Sequence, residues 1–591
     1  MPEQDVLAAL SVDRVRRDVE RITTDIPSRL AGSANGRRMA EYSRDALSAA
    51  GVAARVDEFP GLVSFPEAAE LQILAPREIA ISANTLGHSV ATLPEGLVGE
   101  LIDVGSGAAA EYEGQNPVGR ITLSELSYHP ARHEKQRIAA AMGAAGCVMM
   151  NWGFPGDTAL PFGSVKPAWG NPTPETMRTE MPTLPCIGIS RAAGLALREM
   201  LGQGPVRLRM RANVENGWRP VQITVGEITA PSGDFVVVGG HQDSWPGPQA
   251  TDNAAGSAVI LELARVFQQH RDQLRRGLVF GFWTAHETGT MVGSTQYVDR
   301  EWDRLRQHAV AYLQIDQPGI TGTTVWDTRS NSELRRFHEE AERRLGEGYS
   351  PAWRRAVKTG DSSFFGLGVP MVQGQGTFTE AELKASAMAT LGWWHHSVEN
   401  TLDKLDWPRM AVHLRVYAAW LWELCTAPVL PFEFVTVAEE FEARLARLAP
   451  AGEAIGLAAV MQQAEAFKAA AQRLDAATHA WRGRYAGGHA DQAAADALNA
   501  CLKRLSRLLV PLASTMKGAY GHDPYGFTPQ GSMIPGLHDL PRFAALAVGE
   551  ERWLLETQLV RERNRVMDGL ADAEAEVERT LRLLRAAGSA G

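Results

Sequence analysis

The sequence predicts an α/β protein: a mostly parallel sheet covered by helices, interrupted by a β-rich module and followed by a C-terminal helical bundle. Three observations carry this reading. From Val221 onward, apolar runs at 235–239, 277–283, 310–315 and 369–373 alternate with amphipathic stretches such as 254–270, the pattern of strands and helices that builds a parallel sheet. Between about Gly96 and Asn213 the texture shifts to short strands, glycines and prolines. Beyond Pro431 the chain is rich in Ala, Leu, Glu and Arg at helical spacing.

In chain order, 12–50 reads as two helices separated by Ile26-Pro-Ser-Arg-Leu-Ala-Gly-Ser33, with Ser33 or Asn35 as N-cap of the second and Gly51 at its end. Residues 52–59 alternate like a strand. Inside the β-rich module, 133–143 forms one helix ahead of the buried strand Gly146-Cys-Val-Met-Met150. The long helices are 458–485, 493–510 and 551–587, broken by a glycine- and proline-rich loop at 520–541. The chain of 591 residues exceeds one core. The divisions expected are 1–92 with 216–430 for the α/β core, 93–215 for the insert and 431–591 for the helical part.

Hydrophobic content of 45% with 22% charged residues is ordinary globular composition. A net charge of −10, spread along the chain, argues against nucleic acid and acidic membrane as partners. Cys147, Cys186, Cys425 and Cys501 form no CxxC and read as buried reduced thiols. With no run of about 18 apolar residues and no basic, apolar leader, the expectation is a cytoplasmic protein.

The chemistry gathers at the ends of the expected strands. The first delivers His241 and Asp243, and the loop behind it delivers Asp252 just ahead of a helix. The second ends in His286-Glu287 and the third in Asp316, and His395-His396 follows the last. In open α/β sheets this edge is where ligands bind. Imidazoles and carboxylates together suit Zn²⁺, and the number of them is enough for two ions. A carboxylate shared by both would hold them about 3.5–4 Å apart, the spacing of two-metal hydrolysis.

The order His241-x-Asp-Ser, Asp252-Asn-x-x-Gly, Glu287-x-Gly, Asp316 and His396-Ser resembles the M28 family of co-catalytic zinc aminopeptidases and carboxypeptidases. The β-rich module is similar to a protease-associated (PA) domain, and the helical tail to the dimerisation domain of the glutamate carboxypeptidase II and transferrin receptor branch. The resemblance implies two Zn²⁺ per subunit (Mn²⁺ or Co²⁺ as substitutes), a zinc-aminopeptidase-like core, and a homodimer paired through the helical domain. It implies that Asp252 bridges the metals, with His241 and Asp316 on one and Glu287 and His396 on the other. Asp243 would accept a hydrogen bond from His241 and fix its tautomer. The peptide bond after Asp252 would be cis. His395 reads as a packed or solvent-paired histidine.

The chain departs from that family at His286, where a second glutamate normally serves as the proton shuttle. Imidazole accepts and returns a proton, and its ordinary pKa near 6.5 suits a general base. Beside two dications its protonated form is disfavoured, so a lowered pKa is expected. Three readings stand: a working base, a metal or substrate ligand, or a sign of a catalytically silent relative.

For the substrate, Lys358-Thr-Gly-Asp361-Ser-Ser-Phe-Phe-Gly-Leu-Gly-Val-Pro resembles a family loop near the site, with Asp361 either orienting a group there or capping a helix. Asn151 and Trp152 form either a lid over the site or a hairpin packed on its own module, and Trp394 is either an aromatic wall or part of the core. Tyr525 and Phe527 sit on the loop that reaches the pocket in the related branch. That branch presents Lys-Tyr where this chain has Phe527-Thr528, a departure from the glutamate-specific pattern. Together these point to an apolar or aromatic substrate group. The function expected is metal-dependent hydrolysis of an amide in a peptide or a small N-acyl or N-carbamoyl compound. A receptor-like binding protein on the same scaffold and acyl transfer of the glutaminyl cyclase type are the alternatives.

Overall fold

The computed structural model describes residues 2–588 apart from 489 and 527. Its centre is an eight-stranded sheet, in the order Ala53–Pro66, Val214–Ile228, Gly277–Trp283, Phe235–His241, Ala309–Gln314, Met371–Thr377, Val325–Ser330, Ser350–Arg355. The four central strands run parallel. Along Phe235–His241, Val236 and Val238 point into one core layer, and Phe235 and Val237 into the other. A strand buried on both faces reads as a continuous apolar run, and this one does.

The flanks are antiparallel, which the sequence reading did not anticipate. Ala53–Pro66 and Val214–Ile228 pair antiparallel along their whole length, because this two-stranded ribbon leads the chain out of the sheet and back. At the other flank, Val325–Ser330 runs antiparallel to Met371–Thr377 and parallel to Ser350–Arg355.

The ribbon carries a closed seven-stranded barrel, in the order Ala68–Ala75, Ile79–Thr85, Cys186–Ile189, Gly146–Met150, Ile121–Glu125, Leu97–Asp103, Arg207–Arg211. The barrel therefore begins near residue 68, ahead of the boundary expected at 93. Its own core, with Leu71, Ile121, Val148, Ile187 and Leu208, needs the hairpin 68–85 to close.

Ser11, Ser33 and Asp406 cap the helices Val12–Asp25, Ala34–Ala49 and Trp407–Thr426. Each accepts a backbone N–H that the first turn leaves free. Helices Val435–Gly452, Leu457–Ala486, Gln492–Ser514 and Glu550–Gly588 form the C-terminal part. They share one continuous apolar core with the sheet-covering helices Ala255–Gln269 and Trp407–Thr426. Among the described residues no helix is long and apolar enough to cross a membrane, and all four cysteines are buried free thiols.

Candidate metal centre

The C-terminal ends of the central strands bring the expected ligands together. His241 closes its strand with Nε2 3.1 Å from Asp252 Oδ1 and 3.4 Å from Asp316 Oδ1. On the other side, His396 Nε2 lies 3.2 Å from Asp252 Oδ2 and 2.9 Å from Glu287 Oε1. Asp252 thus turns one oxygen to each half of the cluster. Burial opposes protonation of His241, but Asp316 and Asp252 outweigh it and hold its pKa well above the ordinary value. Such concentrated negative charge is a demand for cations.

Among the described residues, five atoms of the cluster are buried and make no hydrogen bond: His241 Nε2, Asp252 Oδ2, Glu287 Oε1, Asp316 Oδ1 and His395 Nδ1. Unpaired buried polar atoms are rare in folded proteins, and five converging on one space fit a bound metal. Trios that can share an ion include His241, Asp252, Asp316 and also Asp252, His395, His396.

His395 is therefore not the packed histidine expected. Its Nδ1 lies 3.3 Å from Asp252 Oδ2, and its ring stacks on that of His396 at 3.8 Å between centroids. His396 has a left-handed backbone, φ 57°, which turns two consecutive side chains to one side.

The loop geometry is held by specific contacts. The Asp252–Asn253 peptide is cis. Asn253 Nδ2 donates to the Ile315 carbonyl at 3.1 Å and its Oδ1 accepts from Gln317 N at 3.2 Å, tying the Asp252 loop to the Asp316 loop. Asp243 acts differently from expectation. His241 Nδ1 lies 3.0 Å from the Asp243 backbone carbonyl but 3.8 Å from its carboxylate. The carboxylate instead accepts the backbone N–H groups of His286 and Glu287, at 3.1 and 3.2 Å. Burial pushes the Asp243 carboxyl up to about 6.

Arg29, unnoticed in the sequence, is fully buried behind the cluster. It donates to the carbonyls of Gln242, Pro248 and Gln249 at 3.0–3.2 Å, which braces the segment leading to Asp252.

His286 stacks on His241 at 3.9 Å and sets its Nδ1 2.9 Å from Asp361 Oδ2. Asp361 begins no helix and caps none; it orients His286. Burial and His241 pull the His286 pKa down, and Asp361 and Glu287 pull it up and prevail, to about 9. The expected lowering belongs to a site that holds two dications; Asp361 acts in the opposite direction. Burial would likewise raise Asp361, but His286 keeps its carboxyl below the ordinary value. His241, His286 and Glu287 also lie close enough to share an ion.

A cavity of about 260 Å³ opens over the cluster. Barrel, sheet and helical part all contribute to it. Trp152 lines it, 5.3 Å from the His395 ring. Tyr525 lines it too, with its hydroxyl 3.2 Å from Thr359 Oγ1. Asn151 does not: its side chain bonds the Ala159 carbonyl and the Trp152 N–H within its own loop. Trp394 is buried beside Trp393 under Lys404, away from the cavity. Phe527 lies outside the described residues.

The wall contradicts the expected apolar pocket, because Arg132, Arg329, Gln314, Gln317, Gln373 and Gln375 all face it. The Gln373-Gly-Gln375-Gly alternation at the end of a strand was the signal available for two of them.

Residues 224–421, the segment that holds every candidate metal-site residue identified above, match the model of peptidase family M28. Among curated relatives, a probable glutamate carboxypeptidase of Arthroderma benhamiae is 31% identical over 157 residues, 25% of this chain and 21% of that one. Transferrin receptor protein 2 of Homo sapiens is 36% identical over 121 residues, 20% of this chain and 15% of that one. The matched segments thus span about a fifth or less of these relatives' length. A solved structure, a zinc aminopeptidase from Bacillus subtilis, aligns with TM-score 0.54 at 19% identity over 71% of this chain and 97% of its own, a likeness of fold.

Proposed function

We propose that the protein is a metal-dependent hydrolase that cleaves an amide bond in a peptide or small N-acyl compound at a dinuclear zinc site. The single observation behind this is the cluster of His241, Asp252, Glu287, Asp316 and His396, joined by contacts of 2.9–3.4 Å beneath a cavity that all but His241 line, with Asp252 offering one oxygen to each half. His241 and Asp316 would hold one ion and Glu287 and His396 the other. Bound zinc would polarise the scissile carbonyl and acidify water.

The protein's own groups supply the proton handling. Asp361 accepts from His286 Nδ1–H, so the ring takes part as a base once Nε2 has lost its proton, as pH rises through about 9 in the metal-free site. His286 Nε2 takes the proton released by the attacking water and returns it to the leaving nitrogen. Asp243 fixes the backbone that carries His286 and Glu287, and Trp152 and Tyr525 narrow the cavity. Pairing of two chains through the helical part belongs to the same proposal and is tested by the mass in solution from light scattering.

The test is to load the purified protein with Zn²⁺, count metal per chain and screen an amide panel with and without chelator. Two ions and chelator-sensitive hydrolysis are expected. Hydrolysis indifferent to chelator, or a protein that takes up no metal, would overturn the reading. The second outcome would favour a receptor-like binding role instead.

A further inference from the structure

Beyond the ligand cluster, one wall of the cavity is built of side-chain amides. Along Met371–Thr377, Gln373 and Gln375 project to one face. Gly374 and Gly376 occupy the other, where a Cβ would come within 2.5 Å of Trp326 and 2.4 Å of Thr323. The alternation is therefore enforced: glycine is needed beneath so that the glutamines stand above. The neighbouring antiparallel strand sets Arg329 opposite Gln373, at the distance where cross-strand side chains interact. Gln314, ending its strand, and Gln317, just past Asp316, line the same space.

Gln373 Nε2 donates to Gln375 Oε1 at 3.1 Å. The Oε1 atoms of Gln314, Gln317 and Gln373, however, accept from nothing among the described residues, although these residues are only 1, 3 and 5% exposed. A buried acceptor without a donor is expensive, and three around one cavity define what is missing. Arg329 adds donors: Asp327 engages only its Nε, at 3.2 Å, which leaves the terminal nitrogens on the cavity wall.

We propose that this wall is a specificity subsite for a primary carboxamide of the substrate, the group carried by glutamine and asparagine side chains. The proposal rests on the hydrolase reading above. The NH₂ of a carboxamide supplies hydrogens to the glutamine oxygens, and its carbonyl accepts from Arg329. A carboxylate has no hydrogen to give to those oxygens. An ammonium would confront the guanidinium. An aliphatic group would leave the whole wall unpartnered, and sites built to hydrogen-bond a substrate discriminate strongly against analogues that lack the group.

The experiment uses the zinc-loaded protein and matched dipeptides carrying Gln, Glu, Lys or Leu at either position. A kcat/KM for the Gln members at least tenfold above their counterparts is expected. The Gln-to-Leu ratio should fall about tenfold or more in Gln373→Leu and in Gln375→Leu, the second variant guarding against misfolding of the first. A preference for Glu that disappears in Arg329→Gln would overturn the proposal while leaving the hydrolase intact. So would a Gln-to-Leu ratio unchanged in both glutamine variants. If no dipeptide is cleaved, the hydrolase reading fails, and the subsite is decided by calorimetric titration with free glutamine and leucine. Tenfold tighter glutamine binding that weakens in Gln375→Leu supports it, and equal affinities sink it.

Discussion

His286 and Asp361 face each other at 2.9 Å, and in the proposed reaction this pair governs how protons move. His286→Ala is expected to lower kcat about 10²–10⁴-fold with metal content unchanged. Equal rates would remove the base assignment, and loss of one ion per chain would make His286 a ligand. Asp361→Asn tests the pairing through pH. Asp361 holds the His286 pKa up, and the base works only when deprotonated. Removing that charge should therefore shift the acid limb of kcat/KM to lower pH, alongside a loss of about 10–100-fold in rate, as expected for a partner that orients a functional group. An unmoved limb would reduce Asp361 to scaffolding. The departure at His286 was legible in the sequence; its partner, 75 residues away, was not, since no local pattern announces a long-range ion pair. The His395 outcome has a similar cause. Consecutive side chains diverge in regular backbone, so spacing alone selects one of His395 and His396. Only the left-handed turn at His396 brings both to Asp252.

At the scale of elements, the meeting of the candidate ligands was legible because parallel strands share one carboxyl edge, so residues just past each apolar run meet there whatever the strand order. The antiparallel flanks were not, because apolar alternation carries no strand direction. The amide wall was half legible: the expected strand stopped at Gln373, one residue short of showing its glycine alternation. The helix Ala255–Gln269 shows how tightly an element can be set against the site. Gly256 N donates to Asn253 Oδ1 at 3.0 Å, and a Cβ on Gly256 would lie 2.1 Å from that oxygen. Helix propensity alone favours Gly256→Ala by about 1 kcal/mol. Steric displacement of Asn253 should dominate, since Asn253 ties the Asp252 and Asp316 loops. Gly256→Ala is thus expected to lower Tm by several degrees, and to weaken zinc affinity about tenfold or more in a competition titration. A raised Tm with unchanged affinity would show that Asn253 shifts freely.

For the whole molecule, the barrel starts ahead of the boundary that composition suggests, because the hairpin 68–85 resembles sheet strands until the barrel that it closes is seen. The helical part is continuous with the α/β core, so its seam contains buried carboxylates rather than a solvated linker. Asp475 accepts the N–H groups of Phe434 and Val435 at 3.0–3.1 Å where Val435–Gly452 begins, and burial pushes its carboxyl up to about 6. Glu333, 3% exposed, accepts from Ser506 Oγ at 2.9 Å on the helix Gln492–Ser514, and burial raises it from 4.5 to about 7. A carboxyl with a higher pKa folded than unfolded binds more protons in the native state, so stability falls as pH rises. The Glu333 contribution is full below pH 4.5 and is lost through about pH 7, a swing on the order of 3 kcal/mol. Glu333→Gln keeps the acceptor for Ser506 and cannot ionise. Denaturant unfolding at pH 4.5 and pH 8 should therefore show the variant gaining on wild type by that amount at the higher pH. A difference between the two proteins that stays constant with pH would mean that the seam already solvates Glu333 in the native state.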